Sequence, residues 1–367
     1  MHFNTKMNRI LIKALAVLAV LSACQRKAVP PRPTIPLVLS VSADTAGTGR
    51  IAARAGHIGP GGSVAIIGEP GAAITLARYF QVSDRRDNID GREKRDSLPD
   101  FAGETFEVIL DDYNEPYEHF LAEGADVAER VDSLREAAVR GALFAWDSTC
   151  VKVPAKLLIF TSSLQAEYGL FDVDTLQQLT GGKSHLLSPV QVMLESAYAQ
   201  GDRHLVVWTT PKIKASGAWQ AVFRRQGWKD ATLSVLAPEP ALDIRTEFRS
   251  LLRQYRSEGR RMDVLLLDTY WANPSYLGSE LDIIRQGGTE EDAFFDRMLP
   301  GSFHFVEPKS ALVKATYDLL REGNLFTHRI ARPGIRYYET EESPQGLLVL
   351  ENVDASYVET AYVQDFR

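Results

Sequence analysis

Cysteine is almost absent: the 367-residue chain carries only Cys24 and Cys150. A disulfide framework is therefore excluded, and Cys150 reads as a small packed residue more readily than as a nucleophile. No apolar run is long enough to span a bilayer. Motifs that carry chemistry are missing as well: there is no H-E-x-x-H, no Cys/His ligand cluster and no G-x-S-x-G. Gly182-Lys183-Ser184 resembles the end of a phosphate loop, but Gln177 stands where that loop needs glycine. No basic cluster with interleaved aromatics occurs, and the net charge is −7, so nucleic acid is not an expected partner. Neither a metal nor a cofactor is expected, and no repeat of 20 to 50 residues is visible.

What is present begins with a leader. Lys6, Arg9 and Lys13 precede or interrupt an apolar stretch from Ile10 to Leu21, followed by small residues. This is the pattern of a secretory signal over residues 1–23. Its end, Leu21-Ser22-Ala23-Cys24, resembles the bacterial lipobox, which implies lipidation of Cys24 and an anchor in the cell envelope, facing the periplasm. Residues 24–36 then read as a Pro-rich tether, "QRKAVPPRPTIP". Removal of residues 1–23 takes the net charge from −7 to about −10.

The remaining length exceeds what one core usually organises, which predicts two lobes. Strand-length apolar runs alternate with helical patterns. The expected strands are Leu37–Ser42, Ser63–Gly68, Phe106–Leu110, Ala142–Trp146, Leu157–Thr161, His204–Trp208, Thr232–Leu236, Val264–Asp268 and Phe303–Val306. Apolar spacing predicts helices in "PVQVMLESAYAQGD", "AWQAVFRRQGW", "IRTEFRSLLRQYRSEGR" and "SALVKATYDLLREGN". Continuous apolar strands imply sheets covered on both faces, hence an α/β fold of two doubly wound parallel-sheet lobes. The expected bounds are 37–190 for the first lobe and 191–312 for the second, with 313–367 returning across both. Residues 83–100, "SDRRDNIDGREKRDSLPD", read as a solvated insertion without an apolar face.

Gly47-Thr48-Gly49-Arg50-Ile51-Ala52 fits the dinucleotide pattern G-x-G-x-x-A, with Glu69 about 20 residues on. Against it, four residues separate the expected strand from the first glycine and the following helix is short. Asp111, Asp112 and Glu115 follow another strand, but neighbouring acids at a strand end point apart. The recurrent feature is polar and aromatic residues after strands. The candidate ligand-binding set is Asp44, Thr45, Trp146, Asp147, Ser162, Trp208, Thr209, Asp268, Tyr270 and Trp271. Ligands of open α/β sheets bind beyond the carboxyl ends of strands, and flat aromatics beside polar groups suit a ring-bearing polar molecule.

"AWQAVFRRQGWKDATLSVLAPE" and "LLRQYRSEGRRMDVLLLDTYW" give the chain a resemblance to type 1 periplasmic binding proteins, particularly the basic membrane protein type of lipoprotein. The resemblance implies two lobes joined by a hinge and a sugar- or nucleoside-like solute captured between them. That solute would be passed to an ABC-type transporter or sensed by a receptor. It implies no catalytic residue. An envelope hydrolase acting on glycans or esters, using Asp268 or Asp112 with a histidine, is the alternative.

Overall fold

The computed structural model describes residues 33–362, except 56, 122–126, 271, 328, 330 and 346. The leader, Cys24 and Trp271 lie outside the described residues. Two sheets organise the chain. The first contains β1 (Ser63–Gly68), β2 (Thr105–Leu110), β3 (Ala155–Phe160), β4 (His185–Leu187), β9 (Gly334–Glu342) and β10 (Leu348–Val353), in the order β10-β9-β2-β1-β3-β4. The second contains β5 (His204–Trp208), β6 (Thr232–Leu236), β7 (Val264–Leu267) and β8 (His304–Val306), in the order β6-β5-β7-β8. Every pairing is parallel except β9 with β10. The architecture is thus α/β with two sheets dominated by parallel strands.

The sequence accounts for this layout. β1 is buried along its whole length, as a central strand covered by helices on both faces requires. The helix Pro70–Val82 supports one face, burying Ala73, Ile74, Leu76, Ala77 and Phe80. The opposite face carries a second cluster in which Ile67, Ala142, Leu158 and Val173 meet. The four helices expected from apolar spacing form as Pro189–Ala199, Ala218–Gln226, Ile244–Arg256 and Pro308–Glu322.

Two expected strands are helices instead. Residues 37–42 lie in the helix Pro36–Ala43, and residues 142–146 end the helix Val127–Trp146. Each segment is short and apolar, and such a run does not distinguish a strand from a buried helical face. The G-x-G-x-x-A run consequently follows a helix, without the strand that a dinucleotide site needs. Three strands, β4, β9 and β10, were not expected. The C-terminal segment places both β9 and β10 in the first sheet.

The largest apolar cluster joins Val64, Val108 and Leu157 of the first sheet to Leu205, Val235 and Val264 of the second. Met193 and Leu194, and Leu312 and Tyr317, fill the space between them. One apolar cluster therefore runs between the two sheets.

At the amino ends of the first sheet's strands lies a buried ion pair. Lys156 Nζ meets Glu104 Oε2 at 2.7 Å with both side chains fully enclosed. The ammonium also donates to Pro60 O and Leu325 O, and Glu104 Oε1 accepts from the Thr327 N–H. Burial pushes the Glu104 carboxyl up and the Lys156 ammonium down, each opposed by the other's charge. Removing one partner of such a pair leaves the other unbalanced in low dielectric. Lys156→Met should lower unfolding free energy by about 3–5 kcal/mol in urea titration, and adding Glu104→Gln should restore a large part. A loss below about 1 kcal/mol for Lys156→Met would show that the pair is not a stabilising constraint.

Candidate functional site

Register places the site. Gly68 pairs with Leu110, and Ile67 with both Ile109 and Phe160, so Glu69, Asp111 and Thr161 emerge side by side at the carboxyl ends of β1, β2 and β3. In the second sheet Trp208 pairs with Leu267, which sets Thr209 beside Asp268. Gly68 is required here: a Cβ on it would come within 1.9 Å of Thr161 Oγ1. These ends of the two sheets face each other.

Glu69 is half-buried before the helix Pro70–Val82, and its Oε1 accepts from the Tyr117 N–H at 3.0 Å. Burial pushes its carboxyl up to about 7, reinforced by the negative charges of Glu115, Glu118 and Asp111 and opposed by that N–H. Asp111 is buried beside it. Asn114 Nδ2 and Tyr117 Oη donate to its two oxygens at 2.7 Å each. Burial nevertheless carries the Asp111 carboxyl above its ordinary range. Tyr117 is fully buried and also accepts from Gln165 Nε2 at 2.9 Å; burial and the Asp111 charge push its phenol well above 10. Gln165 Oε1 and Thr161 Oγ1 are buried with no hydrogen-bond partner among the described residues. Across the gap Thr210 Oγ1 donates to Glu118 Oε1, and Lys212 Nζ stands 4.0 Å from Glu118 Oε2.

Asp268 bridges the lobes. Thr209 Oγ1 and Trp219 Nε1 donate to its Oδ2 at 2.7 Å each, and Ser163 Oγ donates to its Oδ1 from the first lobe. Burial pushes this carboxyl up while the three donors pull it down. Tyr270 Oη donates to Thr161 O at 2.9 Å, also across the lobes.

The other candidates separate. Asp44 accepts from the N–H groups of Ala46, Gly47 and Thr48, capping the short helix Thr48–Arg54, and Thr45 lies in the same turn. Trp146 and Asp147 end a helix near the amino end of β3, where Lys152 Nζ donates to Ala145 O and Asp147 O. Trp146 packs in the first lobe's core and Trp208 in the second's. Ser162 caps the helix Ser163–Tyr168 by accepting from the Leu164 N–H. Ser162, Thr209, Asp268 and Tyr270 are thus brought together, whereas Asp44, Thr45, Trp146 and Asp147 do not join them. The expected stacking platform of tryptophans does not form. Sequence reasoning left out Glu69, Tyr117, Gln165 and Glu118 as site residues. Glu69 was legible as the acid directly after an apolar strand; the others depend on a turn and a helix that no motif marks.

No family model matches the chain, and no curated protein matches it. Among solved structures, glutamate racemase from Francisella tularensis is similar over 82% of this chain and 93% of its own, at 13% identity and a TM-score of 0.49. A glutamate racemase isoform from Bacillus anthracis is similar over 77% and 89%, at 12% identity and a TM-score of 0.49. Aspartate racemase from Picrophilus torridus is similar over 72% and 95%, at 13% identity and a TM-score of 0.37. These neighbours correct the expected resemblance to periplasmic binding proteins and basic membrane lipoproteins. The transport-linked solute-binding reading falls with it, as do the expectation of a non-enzyme and the hydrolase alternative. Geometry supplies a physical reason for the first correction: the expected ligand acceptor, Asp268, already takes three protein donors, and one apolar cluster runs between the two sheets.

Asp268→Ala would leave three donors without their acceptor, so it should lower stability by about 2–3 kcal/mol, and Asp268→Asn by clearly less. Equal losses in chemical denaturation would refute the bridging role. Glu69 sets a pH dependence. Its folded value of about 7 lies above the unfolded 4.5, so the folded state holds the extra proton between those values. Stability should fall by up to about 3 kcal/mol as pH rises from 4.5 to 7, then level off. Glu69→Gln should flatten that slope when unfolding is followed across this range.

Proposed function

We propose that this chain is an enzyme that moves a proton on and off a small amine-bearing substrate at the carboxyl ends of β1 and β2, with Glu69 as the exchanging group. The observation that carries this reading is Glu69 itself: a half-buried carboxylate beyond a central parallel strand, ringed by other acids and pushed to about 7. A base with that affinity suits proton transfer at neutral pH, and shifts of this size concentrate where they are used. Asp263 shows what a structural acid in this fold does instead. Burial acts against its charge, yet the Arg203 N–H, the Arg261 guanidinium and the His204 N–H draw it down to about 2.

The surroundings point to the substrate class. Glu115 and Glu118 present negative charge beside Glu69, which favours a cation in the gap. Thr161 Oγ1, directly after β3, and Gln165 Oε1, on the helix that follows, have unmet hydrogen-bonding capacity suited to N–H donors. Ionised Glu69 would take the proton, and neighbouring negative charge would make the protonated form easier to hold. Asp111, Tyr117 and Asn114 form a hydrogen-bonded base that fixes the turn supplying the Tyr117 N–H to Glu69.

The test is hydrogen–deuterium exchange at carbon, followed by proton NMR in heavy water over a panel of α-amino acids and simple amines. Exchange should rise with pH through about 7 as Glu69 ionises. Glu69→Gln should reduce it by about 10²–10⁴-fold while leaving the fold intact. Absence of exchange for every amine-bearing compound would overturn the reading, as would an unchanged rate in Glu69→Gln.

A further inference from the structure

The charged segment 83–100 is largely solvent-exposed, as expected of an insertion without an apolar face, yet it is internally ordered. Its carboxylates turn inward to its own backbone. Asp87 accepts from the N–H groups of Ile89 and Asp90, Asp96 from those of Asn88 and Leu98, and Asp100 from those of Arg85 and Arg86 as well as from Ser83 Oγ. The segment is also fastened to the helix Pro308–Glu322. Arg86 Nη2 lies 3.4 Å from Asp318 Oδ1, Tyr317 Oη donates to Asp87 O, and Arg321 donates to Asp90 O.

This arrangement leaves cations over. Among the described residues, Arg85, Lys94 and Arg95 have no ion-pair partner. All three line a cavity of about 480 Å³ between the segment, β8 and the helix Pro308–Glu322. Arg86 and Lys314 line it too, but both already pair with Asp318. Of the two carboxylates in the lining, Glu93 lies 3.6 Å from Arg86 and Asp100 is held by three donors, so the charge left over is that of Arg85, Lys94 and Arg95. In a chain of net charge −7, such a concentration of positive charge in a recess is a local reversal of sign.

We propose that this cavity binds a small phosphorylated molecule. Guanidinium groups match phosphate oxygens with paired N–H donors, and two arginines with a lysine from one anchored segment favour more than one negative charge. The volume exceeds what a single phosphate fills and lies in the range of small-molecule sites. The preorganisation comes from the acids: because they fix the backbone, the basic side chains rise from a set frame. The site is separate from Glu69 and its neighbours and does not depend on the proton-transfer reading.

The experiment is calorimetric titration of the full chain with pyrophosphate, inorganic phosphate and malonate, at a constant ionic strength of about 0.15 M. Pyrophosphate should bind saturably and more tightly than phosphate or malonate. The double variant Arg85→Gln/Arg95→Gln should weaken it by about tenfold or more. Both side chains are outside the core, so the variant should keep the parent's melting temperature without ligand; Lys94→Gln serves as a second, milder variant. Arg50→Gln/Arg54→Gln, which lies outside the cavity, should bind as the parent does. Failure of pyrophosphate to saturate by about 10 mM would overturn the proposal. Unchanged binding in both cavity variants would overturn it too, and malonate binding as tightly as pyrophosphate would remove the phosphate assignment.

Discussion

One carboxylate, Asp268, accepts hydrogen bonds from both halves of the molecule. Ser163 reaches it from the first lobe, and Thr209 and Trp219 from the second. Because the register of β5 and β7 fixes Thr209 and Asp268 as neighbours, the second lobe offers a prepared acceptor and the first docks a hydroxyl against it. The Tyr270 to Thr161 bond repeats the contact between the same two strand ends, those of β7 and β3, and Arg225 with Glu167 repeats it between helices. The relative setting of the sheets, and therefore which strand-end residues face Glu69, follows from these polar contacts together with the apolar cluster between the lobes. The polar contacts supply direction, which apolar burial alone does not.

That setting explains why the acidic site sits where it does. Glu69 and Asp111 come from adjacent strands in matched register, whereas Glu115 and Glu118 come from the turn that follows β2. Tyr117 donates its N–H to one acid and its hydroxyl to the other. It thereby ties the turn to two strand ends and keeps like charges close. Bringing acids together in a half-buried position opposes their ionisation, and the fold tolerates this because the neighbouring donors partly offset it.

Much of the architecture was legible in the sequence. β1, β5 and β7 carry continuous apolar runs, β2 and β3 are interrupted only by the buried Glu107 and Lys156, and the amphipathic helices declare themselves by spacing. The exceptions share a cause. Residues 37–42 and 142–146 are short apolar runs that a helix buries as readily as a strand, and each took proposed site residues with it: Asp44 and Thr45 in one case, Trp146 and Asp147 in the other. β9 was hidden for the opposite reason. "GIRYYETEE" is polar enough to resemble a surface segment, although Tyr337, Tyr338, Glu339 and Thr340 are buried beside β2. The site was half legible: Thr209, Asp268 and Tyr270 follow from strand ends. Tyr117 and Gln165 meet only through tertiary packing, which no local pattern records.

The strand order carries a consequence for how the chain is made. β2 lies between β1 and β9, and Thr105 pairs with Gly334. During synthesis the whole second sheet emerges before β9 exists, so one edge of β2, "TFEVIL", has no strand to cover it until more than 200 further residues have been added. An apolar strand with a bare edge is a template for pairing with other chains. The first sheet is therefore the earlier one begun and the later one finished, and its assembly waits on residues translated after the whole of the second sheet.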